Sequence, residues 1–547
     1  MKNLFFTNKQ SWWLIGFSMI ISGGVLYMPQ VISSFILKGD LSGMWLIWSG
    51  VMGAASGKAF FAHLWSRLPV KTENELILYR FSGKGAKVLH VFRSLYVGGI
   101  IVPIVLSFSF LAFSRVASFV FDISFTSGLI ISTGIVLTGT LFNSLKNRLK
   151  LDFIFLIIFL LSFLAILFFL FNNYGNIMDL NTKVNDSNLG FRIFPLKGST
   201  AFAGFLVFIL VQWWSALIVD FPDINGQKLM SAKNVNEISK SIILPNILFF
   251  VFNLLLYTLP VFVLFVPEIE PGISGEMAFF SIFKEAVPER FRFLIFIFFL
   301  IPFLSVVNNA QNWGGSLLVQ NFYKYHIKKN ASEKHLNKIG LIVMILLGIS
   351  AFVITFYNDS LVNIIKFLLS ITAGVGPVFI LRWYWHRINA WSQFSAMLSS
   401  LIYPFVYDYA YNHIDSFQQT LDFFMQDLNM GYYPLKILVL TFLVCSTWLI
   451  VTFMTKPTNL ETTKRFAETV KPGGIWGKSV KKGQVYFWKR AIIWLILSTK
   501  SAIFYMLFWK LVTGNYWLAL LFSILYILLL LIAYKRLLKV NADYAET

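Results

Sequence analysis

A single cysteine, Cys445, in 547 residues excludes any intrachain disulfide, and its place inside an apolar run says nothing of redox compartment. Charge is scarce too: Asp, Glu, Lys and Arg make up 13% of the chain, about half the usual share in a soluble domain. The six histidines are scattered and lack the spacing of metal ligands. No low-complexity tract or soluble domain interrupts the chain. Catalytic motifs are missing as well. GGIWGKS (473–479) has the outline of a phosphate loop, yet Pro472 stands where its first glycine is required and no strand precedes it. The chain is therefore expected not to be an enzyme.

What the chain has is apolar length. Hydrophobic residues make up 57%, with 59 Phe, and mean hydropathy is +0.70. Runs such as LDFIFLIIFLLSFLAILFFLF (151–171) and WLALLFSILYILLLLIAY (517–534) reach the roughly 20 residues that cross a bilayer. About fourteen spans are predicted, near 11–37, 43–66, 93–117, 127–143, 152–172, 201–220, 241–266, 293–322, 338–357, 361–381, 388–406, 436–455, 491–512 and 516–534. The first is longer than a signal-peptide core and lacks a cleavage site, so it is expected to stay in the mature protein. The fold class is thus an all-α polytopic membrane protein.

Net charge is +21, and its placement excludes nucleic acid as partner. With the N-terminus cytoplasmic, inner segments hold about 33 of the 46 Lys and Arg and outer segments about 10, as the positive-inside rule requires. Both termini are then cytoplasmic, in the cell (inner) membrane. The inner loop 456–490 carries nine Lys and Arg, among them Lys481, Lys482 and Arg490, and fits contact with anionic lipid. The outer loop 407–435 carries Asp408, Asp415, Asp422 and Asp427.

Two spans are interrupted. In FSMIISGGVLYMPQVI (17–32), Gly23, Gly24 and Pro29 sit mid-span, where Gly costs a helix roughly 1 kcal/mol and Pro roughly 3. Five spans on, DFPDING (220–226) breaks the sixth span with Asp220, Pro222, Asp223 and Gly226. Breaks in the first and sixth of ten spans match two inverted repeats whose unwound segments bind substrate and ions at mid-membrane. A packing Gly pair and an ordinary helix end account for the same residues.

WWLIGFSM (12–19), NELILYRFSGKGAKVLHVFRSLYVG (74–98), QWW (212–214) with QKLMSAKN (227–234), NWGGSLLVQNFYK (312–324) and KFLLSITAGVGPVFILRWYWHRINAWSQFSAM (366–397) occur in the order found in the solute:sodium symporter family. The chain resembles that family, as a divergent member without the family's extra N-terminal helix. The resemblance implies a LeuT-type core of ten helices at 1–382 (repeat one about 11–172, repeat two about 201–382) and about four further helices at 383–547. It implies secondary transport of a small polar solute, of the sugar, amino acid or carboxylate type, driven by Na+. Apart from that ion no cofactor is expected. The alternative is a non-transporting relative that serves as a sensor or as a subunit with a membrane-protein complex partner.

By the resemblance, sodium lies between core helices 1 and 8, on the carbonyls of Ile21, Gly24 and Pro302 and on two hydroxyl positions that here are Ser305 and Val306. Solute contacts fall on Met28, Trp213, Trp214 and the stretch beginning at Thr372. The residues themselves point to the same face of helix 8. Ser305, Asn309, Asn312 and Ser316 recur at i, i+4, i+7 and i+11 as a polar stripe, which either lines a cavity, with Asn309 and Asn312 as further solute candidates, or joins helices through amides. Trp213 and Trp214 either contact solute or pack.

Lys58 lies roughly 13 Å from the near end of its span, so it faces a cavity or a carboxylate, as a built-in cation or as a structural partner. Lys500, outside the ten-helix core, reads as structural. Asp152 matches a family aspartate that lines the ion exit, and it also suits a helix N-terminus. The sodium site reads as degraded. Val306 offers no oxygen, and Tyr27 and Met28 stand where polar residues are usual. Acidic DFPDIN replaces a Gly-rich segment. Sodium is therefore expected to bind weakly or not at all at this site.

Overall fold

The computed structural model describes residues 10–21, 26–70, 72–141, 145–187, 192–217, 219–220, 226–266, 273–476 and 484–545. Among them every regular element is helical, and the β pairing is two isolated bridges, Gln10 to Ala232 and Trp385 to Ile475. Seven helices are long and apolar enough to cross a bilayer: Gly83–Phe121, Leu151–Tyr174, Glu289–Ile327, Glu333–Phe356, Tyr432–Met454, Phe487–Val512 and Tyr516–Asp543. A further pair, Asn236–Leu248 and Phe250–Phe265, is bent by 57°. The bend follows Pro245, whose missing N–H leaves the preceding turn without one of its bonds. Side chains such as Ile154, Leu161, Leu164 and Phe168 along one helix, and Leu521, Ile524 and Leu528 along another, stay exposed. Such apolar surface suits lipid and not water. This is a multi-pass membrane protein.

Several predicted spans are segmented. Trp12–Ile21, Met28–Leu37 and Leu361–Ser370 have ten residues each, roughly 15 Å of helix and too short to cross alone. The expected break at 22–25 lies outside the described residues, as do 221–225 of the DFPDING interruption. Their flanks are clear. One helix ends at Ile21 and the next begins at Met28, with Pro29 in its first turn, where no N–H is needed. The Trp213–Ser215 helix ends at Ser215, and a new one starts at Gly226.

A third interruption was not anticipated. The span predicted at 361–381 stops at Ser370, turns through 371–375 and resumes as Gly376–Tyr384. Gly374 holds φ at +78°, a region that other residues adopt at a cost. A Cβ on Gly376 would stand 1.9 Å from the Trp214 carbonyl oxygen, so only glycine lets the two backbones meet there.

Charged contacts gather at the two ends of the bundle. One end holds Glu73–Arg93 (3.0 Å) and Asp220–Arg382 (2.5 Å). Arg80 donates to the carbonyls of Arg382, Trp385 and Ile388 there, with its guanidinium over the rings of Phe466 and Trp476. The other end is tied by Arg115, which meets Glu276 at 2.6 Å and the Asp359 carbonyl at 2.6 Å.

Candidate functional site

The Phe293–Gly315 helix runs through the centre of the bundle, and almost every residue from Ser305 to Gly315 is buried. Its polar residues divide into two groups. Gln311 joins helices: its Nε2 donates to the Met344 carbonyl at 3.0 Å, and its Oε1 accepts from Thr140 at 3.2 Å. Ser305 and Asn309 do not. Among the described residues the Ser305 hydroxyl and the Asn309 Nδ2 are buried without a hydrogen-bond partner. A buried polar atom left unpaired costs about 1–3 kcal/mol, so this pair is unlike the satisfied amide two residues on. Pro302 and Val306 are buried beside them, and Asn312 continues the same face.

The Trp12–Ile21 helix packs against the Phe293–Gly315 helix. The final carbonyls of a helix have no partner within it. Ile21 is fully buried, and Gly24 lies outside the described residues. One turn earlier, the Ser18 carbonyl accepts from Lys228 Nζ at 3.1 Å. The Lys228 ammonium is also 3.9 Å from Asp152 Oδ2, and the Ser18 hydroxyl donates to that same carboxylate oxygen. Asp152 is thus a buried partner of a lysine, and the ammonium lies where a helix C-terminus favours a cation. Lys228 was not singled out from the sequence. It sits in QKLMSAKN, one of the stretches that carried the resemblance, but nothing local ties it to an aspartate 76 positions earlier.

The candidate solute residues lie around the broken segments. Met28 opens the second half of the first span and is half-buried. Trp213 and Trp214 form the last turn before Ser215. The Trp213 ring stacks on Trp494 at 5.1 Å, and Trp214 Nε1 donates to the Leu210 carbonyl at 2.5 Å. Ser215 Oγ accepts from the Gly374 N–H at 2.7 Å and shares a hydrogen bond with Thr441 at 2.7 Å. The end of the sixth span and the break at 371–375 are therefore one joint. Thr372 lies within it, with its hydroxyl bonded back to the Leu368 carbonyl at 2.9 Å. Lys58 sits on a π turn, Gly57–Phe61, and lines a cavity shared with the C-terminal helices.

Ion pairs that sequence reasoning missed flank this region. Asp220 holds Arg382 and the Trp383 indole N–H (2.7 Å) together. Glu73 takes Arg93 and the Trp313 indole N–H (3.1 Å). Burial pushes the Glu73 carboxyl up from its usual range, against the opposing pull of Arg93. Each pair joins segments far apart in the chain, so no spacing rule reveals it.

A search of curated proteins finds no match. Among solved structures, a Na+-coupled sialic acid symporter in a substrate-bound outward-open state is similar at TM-score 0.60 and 15% identity, over 83% of this chain and 93% of that one. A nucleobase-cation-symport-1 family transporter in a closed conformation aligns at TM-score 0.46 and 12% identity, over 86% and 99%. The first likeness gives the fold, the LeuT type. The family model of the sodium:solute symporters matches residues 11–400, most of the chain and every stretch that carried the resemblance. The chain belongs to the sodium:solute symporter family.

Proposed function

We propose that this protein is a secondary transporter of a small polar solute (a sugar, amino acid or carboxylate) whose shared sodium site has been weakened. Family membership supports transport as the activity. The observation that carries the weakening is the pair Ser305–Val306, one buried hydroxyl without a partner among the described residues beside a side chain with no oxygen. Sodium gives up water only for a set of oxygens, and each missing ligand in a dry site costs free energy. The fixed ammonium of Lys228, bonded to the Ser18 carbonyl one turn before Ile21, opposes a second cation there. Ser305, Ile21, Gly24 and Pro302 are the remnant of the site in this reading. Asn309 is the side chain best placed to supply a replacement oxygen. Met28, Trp213, Trp214, Asn312 and Thr372 form the solute side, where the broken segments leave backbone groups to be satisfied.

The same reading includes fourteen spans, a ten-helix core at 1–382 with four helices after it, both termini on the cytoplasmic side, and anionic lipid around the basic inner loops. The test is a sodium titration of the purified protein, followed by thermal unfolding and by isotope-ion binding. Absence of saturable binding at physiological sodium, together with its appearance in Val306→Ser, is the expected result. Saturable binding in the parent that disappears in Ser305→Ala overturns the weakened site.

A further inference from the structure

At the end of the bundle where Arg80 lies, the core is covered by a segment from the C-terminal part. Residues 456–476 follow the Tyr432–Met454 helix and form a short helix, Leu460–Val470, then an extended stretch that reaches Trp476. Its own sequence shapes it. Asn459 caps the helix, its side chain accepting from the Thr462 N–H at 3.0 Å. Phe466, Ala467 and Val470 form one buried face, while Lys464 and Glu468 point outward. Lys471, Gly473 and Gly474 hold positive φ and turn the chain back toward the core.

The segment clasps two parts of the core. The first is the connection 74–82, between the second and third predicted spans. There the Tyr79 hydroxyl donates to Thr469 at 2.8 Å, Arg465 donates to the Tyr79 carbonyl at 3.3 Å, and the Asn459 N–H donates to Ser82 Oγ at 3.3 Å. The second part is the end of the tenth span. The Ile475 N–H donates to the Tyr384 carbonyl at 2.7 Å, and the Ile475 carbonyl accepts from the His386 N–H at 3.1 Å, a parallel bridge about Trp385. Gly474 permits that approach. Its φ is +87°, and a Cβ on it would stand 2.4 Å from the Tyr384 carbonyl oxygen. Arg80 crosses between the two parts through its bonds to the carbonyls of Arg382, Trp385 and Ile388, and the segment covers it with the rings of Phe466 (5.3 Å) and Trp476 (4.7 Å). The Phe466 ring also meets Trp383 at 5.9 Å, whose indole N–H holds Asp220 of the interrupted sixth span.

We infer that residues 456–476 are an autoinhibitory strap that holds this end of the transport path shut. The parts it clasps come from different repeats of the proposed core, 74–82 from the first and 382–389 from the end of the second. In transporters built of inverted repeats, access to the central site alternates as such parts move against each other. Arg80 bridges them by hydrogen bonds, and the two rings keep water from competing for its guanidinium while adding the attraction of aromatic faces for a cation. The strap joins the Tyr432–Met454 and Gln484–Val512 helices in sequence, so the C-terminal part restrains the opening of the core. This inference rests on the transporter reading; its test follows access alone, so its failure leaves the results of the sodium titration unchanged.

The test uses the full-length chain with Cys445→Ser and a reporter, Val306→Cys, on the buried face of the eighth span, in membrane vesicles of both orientations. A membrane-impermeant methanethiosulfonate is added and the rate of reporter modification is followed. Lys464→Cys on the exposed side of the strap, made without the reporter, identifies the vesicles that present the strap face. Trp476→Ala, which uncovers Arg80, and Gly474→Val, whose side chain forbids the approach to Tyr384, should each speed modification from the strap face roughly tenfold and leave the rate from the opposite face unchanged. Lys464→Ala, on the outward side of the strap, should behave as the parent. Unchanged rates in both strap variants overturn the strap, as does a parent modified from the strap face as fast as they are. Equal acceleration from both faces also overturns it, because a loosened bundle and not an opened end gives that result. Hydrogen exchange of the purified chain without the reporter is the second measurement. Trp476→Ala should speed exchange in 74–82 and 382–389 and leave 273–291 at the opposite end as in the parent, and unchanged exchange in those two segments overturns the inference.

Discussion

Lys228 and Lys500 are the same residue in the same apolar bundle, yet their surroundings set them opposite tasks. Lys228 is almost fully buried, and its ammonium is shared between the Ser18 carbonyl and the Asp152 carboxylate. Charge, hydrogen bonds and the end of a helix all favour it there. Lys500 meets an aromatic face and shares a cavity with another lysine. The first lysine completes the fold from within. The second gains a weaker hold, since an aromatic face eases a buried cation without neutralising it. A buried cation is thus read from what it faces, and its identity alone says little.

The contrast can be broken most severely at Lys228. Lys228→Met leaves Asp152 buried without its ammonium partner, and such losses cost about 3–5 kcal/mol. Thermal unfolding of the purified variant should show a large drop in midpoint, and little change would mean that the pair is not formed. A double variant, Lys228→Met with Asp152→Asn, removes both charges. It should be less damaged than the sum of the two singles, with a coupling of about 1–3 kcal/mol in a double-mutant cycle. Additive losses would separate the two residues.

Lys500→Met should go the other way, gaining up to about 1 kcal/mol as a buried cation on an aromatic face is replaced by an apolar side chain. A loss as large as that of Lys228→Met would erase the distinction between the two lysines. The smallest effect is expected at Ser305. Its hydroxyl has no partner among the described residues, so Ser305→Ala should shift stability by less than about 0.5 kcal/mol. A larger loss, measured in the same unfolding assay, would mean that the hydroxyl has a partner in the native membrane.

Much of the class was legible in the chain. Apolar runs such as 151–171 needed only their length, because a bilayer has a fixed thickness. The flanks at Ile21 and Met28 agree with a run that carries Gly23, Gly24 and Pro29, since helix propensity is a local property. The polar stripe on the eighth span was visible by its period, yet the stripe divided in a way the period could not foretell. Gln311, off the predicted stripe, joins helices, while among the described residues the Ser305 hydroxyl and the Asn309 Nδ2 have no partner.

The break at 371–375 was hidden because ITAGVGP reads as apolar, and only the approach of the Trp214 carbonyl to Gly376 requires it. Composition and length therefore determined the membrane class and the flanks of two of the three interruptions, at Ile21 and Met28 and at Ser215 and Gly226. Tertiary structure alone decided which charges meet: Lys228 with Asp152, Arg382 with Asp220, and Lys58 across a cavity from Lys500. The physical reason is range. Helix formation and bilayer crossing depend on neighbours within a few turns, whereas the partner of a buried charge is set by how distant helices pack, and no local pattern encodes that packing.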